Sequence, residues 1–155
     1  MQLPEVEKKL LLVDDEADIR EVLTLALTDI GYGVHIANSG TTALPLFLEK
    51  RPPIVITDIK MPRISGQEVL RQALAADPDL PVIMITAHSS TESVMDSMRE
   101  GAYDYITKPF NVEEVKEIIR KAFEKRKRLK KEKPAKEESQ APRYDITSMV
   151  GKSEK

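Results

Sequence analysis

Along the first 125 residues, short apolar runs alternate with longer stretches whose apolar residues recur at helical spacing. The runs fall at 10–13, 34–37, 54–57, 82–86 and 103–107, and LLLV, IVIT and VIMIT are apolar throughout rather than at every second residue. A strand buried on both faces needs that pattern, so a parallel sheet covered by helices is predicted. Between the runs, Ile19, Val22, Leu23, Ala26, Leu27 and Ile30 mark a first helix, which Gly31 stops. A third helix is predicted over 67–76, entered after Ser65-Gly66 and stopped by Asp77-Pro78, and a fourth over 92–100, ended by Gly101. The second, near 41–49, holds Pro45, whose missing N–H and ring clash predict a kink or a late start. The fifth starts at Asn111, a capping residue, with Glu114 three residues on to reach back.

Five β-then-α units with short connections imply right-handed crossovers and an α/β, doubly wound sheet. Its functional crevice is expected beyond the carboxyl ends of the strands, where strand order reverses. The fifth helix continues past the body through Val115, Ile118, Ile119, Ala122 and Phe123 into KRKRLKKEK. Val115, Ala122 and Leu129 keep a seven-residue spacing, but the intermediate places hold Ile119, Arg126 and Lys133, so a coiled-coil seam fades. Residues 134–143, PAKEESQAPR, have linker composition, and YDITSMVGKSEK regains some apolar character. Residues 1–125 are read as one domain, and 126–155 as a basic helix extension and linker that stops short of an output domain.

With 155 residues, 41% of them hydrophobic, the chain has room for one domain and a substantial core. The absence of Cys removes thiolate nucleophiles, disulfides and Cys-based metal sites, leaving carboxylates, hydroxyls, Lys and His to build a site. No apolar run is long enough for a membrane span or signal peptide, so a cytoplasmic protein without membrane contact is expected. The net charge of −2 hides an asymmetry. Eleven of the 24 basic residues but only five of the 26 acidic ones lie in residues 125–155, a net +6 there against −8 on the remainder. The run KRKRLKK reads as the solvated end of a helix, where cations suit the dipole, and no DNA-reading motif accompanies it. Direct DNA binding by this segment is not expected.

Asp14 and Asp15 follow the first predicted strand, Asp58 the third and Lys108 the fifth, while Thr86 ends the fourth. All converge on one edge of the sheet. A strand-end acid alone is often a helix cap or a solvated turn. Three carboxylates sharing a crevice with a Lys and a hydroxyl are a different matter, because they repel one another unless a cation is present. A hard divalent ion with oxygen ligands, Mg²⁺, relieves that conflict and brings phosphate chemistry with it.

Four stretches carry a resemblance: LLLVDDE at 10–16, IVITDIKMPRISG at 54–66, VIMITAHS at 82–89 and GAYDYITKPF at 101–110. Together they resemble a response-regulator receiver domain of two-component signalling, over about residues 8–125. The resemblance implies a flavodoxin-like fold whose five-stranded parallel sheet has the order 2-1-3-4-5, in agreement with the pattern, here with an extended C-terminal helix. It makes Asp58 the phosphoryl acceptor, Asp15 and Asp58 direct Mg²⁺ ligands, Asp14 a ligand through water, and Lys60 a ligand through its backbone carbonyl. Lys108 and Thr86 would bind phosphoryl oxygens. Thr86 and Tyr105 would form a switch whose output face is the fourth helix, fifth strand and fifth helix. Lys60 and His88, each two residues beyond Asp58 and Thr86, would tune the phosphoryl lifetime, and Lys108-Pro109 is the family's usual place for a cis peptide. The implied phosphodonor is a sensor histidine kinase, and the implied assembly a homodimer through the output face and extended helix. The chain would be a signalling domain and not an enzyme, although it assists its own Mg²⁺-dependent phosphoryl transfer and dephosphorylation.

Other classes fit less well. A haloacid-dehalogenase-type phosphatase places a second acid two residues after its nucleophile, where this chain has Lys60, and a flavin module wants a Gly/Ser/Thr-rich loop where this chain has DDEAD. Gly151-Lys152-Ser153 is no P-loop, since Ile146 stands where the first Gly belongs. SMVGKSEK does resemble the opening of the AAA+ domain in regulators that activate sigma-54 RNA polymerase, which would make the missing output domain a transcriptional one.

Overall fold

The computed structural model describes residues 7–87 and 92–132, with side chains through Leu129. The order of elements is β1 (Lys9–Val13), α1 (Ala17–Asp29), β2 (Gly33–Ala37), α2 (Gly40–Lys50), β3 (Val55–Asp58), α3 (Gly66–Ala76), β4 (Val82–Thr86), α4 (Glu92–Arg99), β5 (Asp104–Thr107) and α5 (Val112–Glu132). All strand pairs are parallel and the sheet order is β2-β1-β3-β4-β5, as expected.

Continuous apolarity in the strands has a direct cause. Leu11 and Val13 of β1 face α2, α3 and α4, joining Phe47, Leu70, Val82 and Met84, whereas Leu10 and Leu12 face α1 and α5, joining Leu23, Leu27, Ile83, Ile85 and Ile119. Successive side chains point to opposite faces, and each face has its own helical layer. Full burial of each such Leu or Ile contributes about 1.5–3 kcal/mol. Tyr32 and Phe123 close the second layer edge to face, 5.6 Å apart.

Two helix expectations need adjustment. The late start does not occur at Pro45: α2 begins five residues earlier, where Ser39 accepts the Thr42 N–H at 3.2 Å, and runs on to Lys50. Ala43 and Phe47, both buried, bracket the proline and hold the helix to the sheet. At α5, Asn111 does cap, accepting the Glu113 N–H at 2.8 Å, but the return bond from Glu114 is absent from the hydrogen bonds of the described residues.

The fading heptad of α5 is also explained. Val115, Ile119 and Ala122 are fully buried in the chain's own core, so they are not exposed for a seam. Arg126 is buried too, its Nη1 and Nη2 donating to the Asp77 carboxylate at 3.0 and 2.6 Å. The residues beyond Glu132, including Lys133, the linker-like 134–143 and the Gly151-Lys152-Ser153 string, lie outside the described residues.

Candidate functional site

β1, β3 and β5 end at the same edge of the sheet and deliver Asp14, Asp58 and Lys108 to one pocket. Asp14 is fully buried; its Oδ1 accepts the Glu16 N–H at 2.9 Å and its main-chain carbonyl accepts Nη1 of Arg20 at 2.8 Å. The acidic turn is thus fixed from within and from one turn into α1. Asp58, 7% exposed, closes β3; its Oδ1 accepts the Lys60 N–H at 3.4 Å. Thr57 Oγ1 donates to the Asp58 carbonyl at 3.1 Å.

Lys108 is the only ammonium paired with these acids among the described residues. Its Nζ lies 2.7 Å from Glu16 Oε1 and 3.2 Å from Oδ2 of both Asp14 and Asp58. Its own N–H donates to the Thr86 carbonyl at 2.7 Å, which ties β5's end to the buried Thr86 at the end of β4. The Lys108-Pro109 peptide is cis.

Three acids sharing one cation are electrostatically unbalanced. Burial pushes the Asp58 carboxyl up to about 6, the neighbouring Asp14 charge adds to the rise, and Lys108 and the Lys60 N–H only partly oppose it. Asp14 is raised as well, by burial first, against the Glu16 N–H and Lys108. Burial alone would depress Lys108, but the hydrogen bond to Glu16 and the charges of Asp58 and Asp14 outweigh it and raise its pKa. One oxygen of each of Asp14, Glu16 and Asp58 lies within 4.8 Å of the others. Asp14 Oδ2, buried, accepts no hydrogen bond of good geometry. A donor set of hard carboxylate oxygens, one of them buried and met by an ion pair with Lys108 but by no hydrogen bond, suits a cation such as Mg²⁺.

The structure therefore brings together Asp14, Asp58, Lys108 and the backbone of Thr86. Asp15 is exposed and stands outside the three-carboxylate group, where Glu16 takes the third place. The Lys60 side chain is exposed, and Tyr105 on β5 is 37% exposed. His88 lies outside the described residues. Two participants escaped the sequence reading. Glu16 is the third acid of the same DDE run, and its rank depends on the turn geometry; Arg20 is a cation one turn into a helix that starts at an acidic strand end, a signal that was available.

A third unforeseen constraint is steric. The N–H of Gly66, at the start of α3, donates to the Ile59 carbonyl at 2.8 Å, and a Cβ on Gly66 would lie 1.9 Å from the Asp58 carbonyl oxygen. Only glycine allows α3 to sit so close to the acceptor strand.

Comparison with known proteins gives a consistent picture. The family model for the response regulator receiver domain matches residues 10–120. Regulatory protein AtoC of Escherichia coli is 37% identical over 116 residues, which are 75% of this chain and 25% of AtoC. Among solved structures, a response regulator receiver domain protein of Clostridium thermocellum superposes with a TM-score of 0.75 at 34% identity, covering 78% of this chain and 98% of that one. NtrX of Brucella abortus gives the same TM-score and identity over 81% of this chain and 29% of NtrX. The chain thus spans about a quarter of the regulators AtoC and NtrX.

Proposed function

Because the chain belongs to the response regulator receiver domain family, we propose that it is the phosphorylation-dependent receiver of a two-component system, with Asp58 accepting a phosphoryl group from a sensor histidine kinase. The observation that carries the reading is Lys108 Nζ among the buried carboxylates of Asp14 and Asp58 and the exposed one of Glu16, 3.2 Å from Asp58 Oδ2.

In the transfer, an Asp58 carboxylate oxygen forms a bond to phosphorus as the P–N bond of a phosphohistidine breaks; the electron pair stays on the imidazole nitrogen, which takes up a proton. Phosphoryl transfer needs mainly in-line positioning and charge neutralisation. Lys108 supplies cationic stabilisation to a phosphoryl oxygen, and the Thr86 hydroxyl binds another. Asp14, Asp58 and Glu16, with Asp15 and the Lys60 carbonyl as the family resemblance adds them, would hold Mg²⁺. When bound, that ion supplies the positive charge that lets an acidic pocket admit an anionic phosphoryl group.

The new phosphoryl acceptors would draw Thr86 inward, and Tyr105, now outward, would follow. Met95 and Met98 on α4, 54% and 38% exposed, supply apolar surface to an output face formed with β5 and α5. Lys60 and His88 would set the lifetime of the phosphoryl group. The similarity to AtoC and NtrX favours a kinase as donor, a cytoplasmic setting, and a parent protein with an AAA+ output domain acting on sigma-54 RNA polymerase; a dimer formed through the output face completes the reading.

The test is intact mass after incubation with Mg²⁺ and acetyl phosphate. One phosphoryl adduct is expected, lost with chelator and absent in Asp58→Asn. A folded, Mg²⁺-binding protein that takes no phosphoryl group from acetyl phosphate or from a histidine kinase overturns the proposal.

A further inference from the structure

α3 touches both ends of the molecule's function-bearing frame. Its first residue, Gly66, is packed against the Asp58 carbonyl and bonded to Ile59. Asp77, the residue that terminates it eleven positions later and precedes Pro78, grips Arg126 through both carboxylate oxygens, at 3.0 and 2.6 Å. Arg126 is 6% exposed, and its Nε has no partner among the described residues. Among the described residues this guanidinium is held by one carboxylate, that of Asp77, near the C-terminal end of α5.

An Arg this deeply buried at the exit of a helix is an expensive way to finish it if only solubility matters, since Lys125, Lys127 and Arg128 already serve that end in or near water. A planar, bidentate pair fixes orientation as well as position. The pair spans 49 positions of sequence and joins two helices on opposite faces of the sheet.

We propose that α3 is a strut between the acceptor and the helical arm of α5 beyond Arg126. The Asp77–Arg126 clasp anchors the arm, and a change of state at Asp58 is felt there through α3. This route is separate from the Thr86–Tyr105 switch. The anchoring stands on the geometry alone, while the transmission rests on the receiver reading.

Hydrogen exchange on the full chain tests both parts. In Asp77→Asn and Arg126→Lys, amides of 126–132 are expected to exchange about tenfold faster or more, with the core strands unchanged. The swap Asp77→Arg with Arg126→Asp is expected to restore much of the protection. Arg71→Ala, which severs only the exposed contacts of Arg71 with Glu68 in the same helix and with Glu100, is the control expected to leave the arm unaffected. Unchanged arm exchange in both clasp variants overturns the anchoring. For transmission, the probe is Mg²⁺ with beryllium fluoride, a tetrahedral mimic of a carboxylate-bound phosphoryl group, with loading read from the exchange of residues 58–60. The wild-type arm is expected to change its exchange at least twofold on loading, and Asp77→Asn to lose that response. A loaded wild type with a silent arm, or an Asp77→Asn protein that keeps the response, overturns transmission through the clasp. A wild type that does not load rejects the receiver reading, and transmission with it, while the variants still decide the anchoring.

Discussion

Two ionic sites among the described residues, one around Asp14 and Asp58 and one around Arg126, sit at opposite edges of one sheet and are built on opposite arithmetic. At the carboxyl edge, Asp14, Asp58 and Glu16 share the single ammonium of Lys108. At the amino edge, Asp77 meets Arg126 one to one. The first site is overcharged, with three carboxylates to one ammonium; the second is balanced in charge. A balanced pair is the form that holds a structure, because breaking it strands a charge. An unbalanced cluster costs stability until something from outside completes it, which is the mark of a site kept for chemistry.

The comparison predicts effects of opposite sign. The largest loss is expected for Gly66→Ala, which strikes the element joining the edges: a methyl 1.9 Å from the Asp58 carbonyl forces α3 off the sheet, at about 4 kcal/mol or more in urea unfolding. Arg126→Met should cost about 2–3 kcal/mol. It falls short of a fully buried pair because Asp77 keeps 22% of its side chain in water.

Asp58→Asn should do the reverse. In metal-free buffer at pH 7.5 it is expected to stabilise by about 1–2 kcal/mol, because it removes a carboxylate charge that burial and Asp14 disfavour. If Arg126→Met and Asp58→Asn shift stability in the same direction, the contrast between the two edges is wrong.

The pH dependence sharpens the point. Asp58 has a folded pKa of about 6, above its ordinary value of 3.8. Its favourable contribution is therefore present below about pH 4 and lost as pH rises through about 6. Measured without metal, the stability of Asp58→Asn relative to wild type should grow from pH 4.5 to 7.5. Mg²⁺ should raise the wild-type Tm more at pH 7.5 than at pH 5, since protons and the cation compete for the same oxygens. An equal Tm rise at both pH values would show that the cation does not meet these carboxylates. The smallest effect belongs to neither edge. Arg63 holds a left-handed φ of 69°, and Arg63→Gly should gain about 0.5–1 kcal/mol in thermal unfolding.

Much of the fold was legible because its signals are local and periodic. LLLV and VIMIT alternate between two covered faces, and no polar break interrupts them. Asp14, Asp58 and Lys108 were legible because each is the residue at or just after a strand end, and topology alone carries strand ends to one edge. Glu16 was not, since which acids of DDE turn inward is decided by the Glu16 N–H bonding back to Asp14. Arg126 was read as a flaw in a heptad because its partner lies on another helix, and no helical period reports a contact of that kind. The late start expected from Pro45 failed for a related reason: the rule against proline is a backbone rule, and the burial of Ala43 and Phe47 on either side of it weighs against it.

The position of Arg126 also sets the leverage of the helix it anchors. From the clasp to Glu132 the helix runs six residues, about 9 Å at the usual rise per residue. A tilt of about 10° about that fulcrum displaces the far end by only about 1.5 Å. So short an arm is a poor amplifier and a good pointer: whatever reads it must lie against it or prolong it, so that the same small angle is multiplied by a greater length.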